Sequence, residues 1–95
     1  MSWVEIDDAV LGRVVVELQP TVLEVFRATV QETTRLHLRM LVIEQRGPNG
    51  QGHQQVHLAN HGGSGLTLTV AEQWWARLWP LLEQARAQQY SFQGY

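Results

Sequence analysis

The sequence predicts a mainly β, α+β domain: a strongly bent antiparallel sheet or split barrel of five to seven short strands, capped by one C-terminal amphipathic helix. Three observations carry this. Apolar residues alternate with a period of two in short stretches bounded by turn residues. One later stretch, residues 71 to about 88, changes to three- and four-residue spacing. And 95 residues leave room for one core. Residues 1–95 are therefore read as a single domain, with its core at about 12–88 and an aromatic tail over 89–95.

The first strand covers residues 13–18, where Val14, Val16 and Leu18 alternate with Arg13, Val15 and Glu17. Gln19-Pro20-Thr21 reads as a tight turn with Pro at its second position. Residues 21–30 return with apolar residues on both parities, which predicts a strand that is either covered on both faces or bent. Residues 34–45 give the cleanest alternation, Leu36, Leu38, Met40 and Val42 on one side and Arg35, His37 and Arg39 on the other. About 12 residues exceed the usual five or six, so this stretch should bend or break midway. Leu41 and Ile43 point to cover on the second piece's other face.

The segment 46–52 holds three Gly, one Pro and the Asn49-Gly50 pair, and marks a turn. Residues 53–60 come back with Val56 and Leu58 inward. A pivot near Asn49 sets Val42 opposite Val56 and Met40 opposite Leu58. The next turn is His61-Gly62-Gly63-Ser64-Gly65, followed by a strand over 66–70, and a pivot near Gly63 sets Leu58 opposite Leu68. Thr69-Val70-Ala71-Glu72 fits a capping box, in which the hydroxyl and the carboxylate each satisfy an orphan backbone donor. From there Trp75, Leu78, Trp79, Leu82 and Ala85 form one apolar stripe, widened by Trp74 and Leu81. Pro80 interrupts it; the expected outcome is a kink with the helix continuing, the alternative a helix that starts at Pro80.

Composition excludes several function classes. With 44% hydrophobic residues, no apolar run approaches the roughly 18 residues of a membrane span. Residues 1–8 lack the basic start and apolar stretch of a secretory signal, so the cytoplasm is the expected compartment. Cysteine is absent, which removes disulfides and thiol chemistry. All seven basic residues are Arg, none adjacent to another, and the net charge is -2. Nucleic-acid binding, which calls for a concentrated basic excess, is not expected, nor is attachment to an anionic membrane.

Serines 2, 64 and 91 sit in no nucleophile-elbow pattern, and Gly62-Gly63-Ser64-Gly65 lacks the Lys of a phosphate loop. His53, His57 and His61 are spaced by four, but along a strand that spacing spans about 13 Å, too far for two imidazoles to share one ion. Asp7-Asp8, beside Glu5, lacks the further oxygen ligands of a calcium loop. No catalytic residue, metal site or cofactor is therefore assigned. Arg35, His37 and Arg39 could make a small anion-attracting strip. Trp74, Trp75 and Trp79 cannot all fit one narrow stripe, because adjacent helical positions diverge by about 100°; Trp74 is expected at its edge, partly exposed.

Two antiparallel sets of bent strands followed by a Trp-bearing helix resemble the pleckstrin-homology-like (PH-like) fold over residues 12–87, with Trp74-Trp75-Ala76-Arg77-Leu78-Trp79 as the strongest element. The family has seven strands where the alternation gives five; splitting 34–45 and adding residues 3–6 restores the number. Its phosphoinositide-binding members carry several Lys or Arg around the first hairpin turn. Here that turn is read as Leu18-Gln19-Pro20-Thr21, with no basic residue. The family's other common use is protein interaction or assembly, and the resemblance implies a non-catalytic bacterial module that contacts a protein partner or a second copy of itself. Trp74, Trp75, Trp79, Tyr90, Phe92 and Tyr95 are the expected contact residues. The alternative is a ligand- or lipid-surface-binding domain using the Arg35/His37/Arg39 face.

Overall fold

A computed structural model describes residues 2–61 and 65–93, with side chains over 2–61 and 65–89. Seven strands precede one helix: β1 Ser2–Asp8, β2 Gly12–Leu18, β3 Val22–Arg27, β4 Glu32–His37, β5 Leu41–Pro48, β6 Gln54–Asn60, β7 Gly65–Val70 and α1 Glu72–Gln93. All pairings are antiparallel, in the order β4-β3-β2-β1-β7-β6-β5. β4 and β5 are the two edges, so the sheet bends without closing into a barrel. Residues 3–6 belong to a full strand, and Ile6 is part of the core. The core thus reaches back before residue 12. The first hairpin turn is accordingly Ala9-Val10-Leu11, and the turn at Gln19-Pro20-Thr21 is the second.

The long alternating stretch breaks as expected, at a 3-10 turn over Leu38–Met40. Three residues of turn reverse the parity of the next strand. Leu36 is buried before the turn and Leu38 at its start; Leu41 is buried and Ile43 packs against the core after it, while Met40 is 47% exposed. The β5–β6 register changes with it. Ile43 lies opposite Leu58 and Val42 opposite Ala59, in place of the expected Val42 with Val56 and Met40 with Leu58, and a bulge between Gln45 and Gly47 absorbs one residue more. A one-residue slip exchanges the faces of a strand, so an odd number of turn residues is enough to overturn a pairing inferred from alternation.

In the β6–β7 hairpin Leu58 pairs with Leu66 and Val56 with Leu68, two residues from the expected register. The pivot expected at Gly63 lies outside the described residues. Gly65 is required here by close approach: a Cβ would run into the Leu58 carbonyl oxygen and sit 2.7 Å from the Ala59 Cβ. Gly12 is required for another reason, a φ of +78° at the end of the first turn. β3 has Val22, Leu23 and Val25 buried, so both parities are covered at its start, and Phe26 is 38% exposed toward its end.

α1 lays Leu78, Leu81, Leu82 and Ala85 onto Ile6, Val16, Leu18, Leu38 and Leu58 in one continuous core. Each buried leucine contributes roughly 1.5–3 kcal/mol. The helix continues through Pro80, whose ring is exposed, so the bond lost is the one to the Ala76 carbonyl. It does not begin with a capping box. Thr69 is still in β7, its hydroxyl accepting from Gln55 Nε2 at 3.3 Å, and the Glu72 carboxylate accepts from Gln54 Nε2 at 3.1 Å. Ala71 holds the position before the helix, its carbonyl accepting from the amides of Trp74 and Trp75. Residues 89–93 of the expected aromatic tail continue the helix to Gln93.

Candidate functional site

The three helix tryptophans are half-buried and pack against the core. Trp75 and Trp79, one turn apart, stack with centroids 5.1 Å apart and planes at 23°. Arg86 lies 5.5 Å from the Trp79 ring centroid, and Arg77 lies 5.4 Å from that of Trp74. The indoles that the amphipathic stripe could not hide are thus partly covered by arginines of the same helix. Tyr90 and Phe92 are helical in backbone; their side chains, and Tyr95 altogether, lie outside the described residues.

Arg35 and His37 have the same parity on β4, and Arg39 stands beyond the strand. Arg35 pairs across β3–β4 with Glu24, 3.0 Å from Nε to Oε1. His37 ends β4, and Arg39 lies beyond it in the 3-10 turn. His37 and Arg39, with Thr21 and Met40, line a cavity of about 370 Å³ at the junction of the β2–β3 turn and the 3-10 turn. The spaced histidines are dispersed: His57 Nδ1 is 2.9 Å from the Thr67 hydroxyl across β6–β7, and no metal-holding cluster occurs among the described residues.

Asp8 has a structural position. It is 4% exposed, with Oδ1 accepting from the amides of Val10 and Leu11 and Oδ2 accepting from the amide of Thr69 at 2.7 Å. β1 and β7 pair at Asp8 with Val70, and two further bonds cross there: the Thr69 amide to the Asp8 carboxylate, and the Ala9 amide to the Thr69 carbonyl.

The exposed aromatic surface lies on the outer face of β1–β3. Trp3 is 63% exposed, and Phe26 shares this face. The registers place Trp3 opposite Glu17, Glu17 opposite Glu24, Glu5 opposite Val15, and Val15 opposite Phe26. An apolar diagonal of Trp3, Val15 and Phe26 therefore crosses a field of carboxylates. Glu5 is held by Arg13 at 2.9 Å and Glu24 by Arg35. Glu17 accepts from Gln19 Nε2 at 2.9 Å, and neither it nor Asp7 forms an ion pair among the described residues. The sequence carried a signal for this: Trp3 has the parity of Glu5 and Asp7, and Ile6 has the parity of Val4 and Asp8. A tryptophan in step with acids along a strand is outward.

No helix among the described residues is long and apolar enough to cross a membrane. Comparison with known proteins gives no match to a family model, to a curated protein or to a solved structure.

Proposed function

We propose that this chain is a non-catalytic, PH-like protein-interaction module of the bacterial cytoplasm, and that its contact surface is the outer face of β1–β3 around Trp3. The observation that carries this reading is Trp3 itself, 63% exposed on a strand in the middle of the sheet order and held there by pairing along the whole of β2. A rigid, solvent-facing indole flanked by Val15 and Phe26 has the composition of an interaction hot spot. The seven strands and terminal helix support the PH-like reading. Neither the first hairpin turn, Ala9-Val10-Leu11, nor the second has a basic residue, which speaks against an inositol-phosphate headgroup as the ligand. Of the contact residues expected from sequence, Trp74 and Trp79 are the less suited, each already bearing an arginine.

Light scattering and in-cell cross-linking with wild-type and Trp3→Ser protein test this. The expected result is a dimer or cross-linked partner that the substitution removes. A strict monomer with the same cross-links from both proteins would overturn it.

A second reading has one observation in its favour, the cavity beside His37 and Arg39. A ligand or lipid surface using these cations would bind anionic vesicles at low salt and release them as salt rises. Absence of co-sedimentation at low salt removes that reading.

A further inference from the structure

We propose that the partner presents an arginine to the outer face of β1–β3, with its guanidinium over the Trp3 indole and paired with Glu17. This deepens the reading of that face as a contact surface and rests on it. The first argument is charge. The face carries the carboxylates of Glu5, Asp7, Glu17 and Glu24 against the guanidiniums of Arg13 and Arg35, and Arg77 lines one recess with Glu5, Asp7 and Arg13, which leaves an acidic excess of one. Glu17 is the carboxylate that has no arginine beside it among the described residues. The second is register. Glu17 and Glu24 stand directly opposite across β2–β3, a like-charge pairing that destabilises a sheet unless a cation intervenes. Arg35 answers Glu24 from β4. Glu17 has the neutral Gln19 amide on one oxygen, and on its other side stands Trp3. A cation entering between Trp3 and Glu17 would complete a row that runs Trp3, Glu17, Glu24, Arg35 across four strands.

Geometry favours arginine over a smaller cation. Directly opposed residues on an antiparallel pair have Cβ atoms about 5 Å apart. One planar guanidinium can therefore lie on the Trp3 ring and direct N–H groups to the Glu17 carboxylate at the same time, which a compact ammonium does less well. The chain itself shows the stacking component twice, with Arg77 and Arg86 at 5.4 and 5.5 Å from indole centroids. Trp3 has no arginine of its own among those contacts.

The test is an NMR titration of the intact chain with a capped Gly-Arg-Gly-Arg-Gly peptide and with its citrulline counterpart, which keeps the shape and removes the charge. The expected result is a shift of the Trp3 indole N–H and of the Glu17, Glu24 and Phe26 amides with the arginine peptide, at least threefold weaker with citrulline. Raising salt to about 0.3 M should weaken binding severalfold. Trp3→Ala should lower affinity roughly three- to tenfold, and Glu17→Gln roughly two- to fivefold; both side chains lie on the solvent face, and the second variant keeps the row's shape. Equal binding of the citrulline peptide overturns the arginine assignment and leaves the face standing as an apolar contact surface. Shifts at Trp3 that follow protein concentration without peptide assign the face to a second copy of the chain and also overturn it. Absence of any shift at Trp3 overturns it too, and the cross-linking comparison then decides separately whether the face contacts protein at all.

Discussion

At the seam between β1 and β7 inside the sheet a carboxylate bridges the backbone, and at the connection from β4 to β5, the sheet's two edge strands, an amide of the helix does so. Asp8 accepts from three backbone N–H groups, those of Val10, Leu11 and Thr69. Gln89 donates through one Nε2 to two backbone carbonyls, Leu38 at 2.8 Å and Leu41 at 2.6 Å. The seam joins the two halves of the sheet through one residue pair; the Thr69 amide lies across it, and the Val10 and Leu11 amides lie in the adjoining β1–β2 turn. The β4–β5 connection is a 3-10 turn, in which the Leu38 carbonyl accepts from both the Leu41 amide and Gln89. At each place a side chain bonds backbone groups of another element, as acceptor in one case and as donor in the other. One comes from the strand, the other from the last described side chain of the helix.

The largest effect is expected at the carboxylate. Asp8→Asn keeps the size but turns an N–H₂ toward at least one amide donor, and a buried donor left unpaired costs about 1–3 kcal/mol. The loss of charge-assisted bonds adds to this. A destabilisation of about 2–4 kcal/mol is expected, read as a lowered urea midpoint, with faster hydrogen exchange at Val10, Leu11 and Thr69. Unchanged exchange at these three amides would show that the seam closes without the side chain.

Gly65→Ala comes next. It sets a methyl against the Leu58 carbonyl and the Ala59 side chain in the β6–β7 hairpin, and overpacking of this kind costs about 1–3 kcal/mol. Its place between the Asp8 and Gln89 substitutions tests whether these side-chain bridges or the hairpins limit the second half of the sheet. Gln89→Ala should cost about 1–2 kcal/mol, because a neutral donor shared by two carbonyls is lost. The Asp8 and Gln89 effects should add. The two residues lie near opposite ends of α1, and the helix from Glu72 to Gln89 alone spans about 25 Å. A double variant departing from the sum by more than about 0.5 kcal/mol would show that one bridge strains the other.

The strands, the order of turns, the break within 34–45 and the passage of the helix through Pro80 were legible because each rests on local pattern. Alternation is a property of neighbouring residues, and so is the helical stripe of Leu78, Leu82 and Ala85. Register was not legible. It depends on how many residues a turn consumes, and the 3-10 turn at Leu38–Met40, the bulge at Gly47 and the hairpin before Gly65 each altered that number. The capping box failed for a related reason: Thr69 has the right spacing from Glu72, but β7 extends through it and takes its amide for Asp8. Asp8 and Gln89 look like ordinary surface residues in sequence. Asp8's partner on β7 lies 61 residues away and those of Gln89 lie 48 to 51 away, and no local pattern encodes that.

The smallest effect on stability is expected five residues from the largest, on the same strand. Trp3 and Asp8 both belong to β1, but the pleat sends one outward to 63% exposure and the other inward to 4%. Trp3→Ser removes a large side chain from solvent while leaving every β1–β2 backbone bond in place, so the urea midpoint should move by no more than about 0.5 kcal/mol. A larger loss would mean that the indole packs along Val15 and serves the fold. A midpoint that stays put while cross-linking is lost would separate the two functions of β1, with Asp8 holding the sheet together and Trp3 available to a partner.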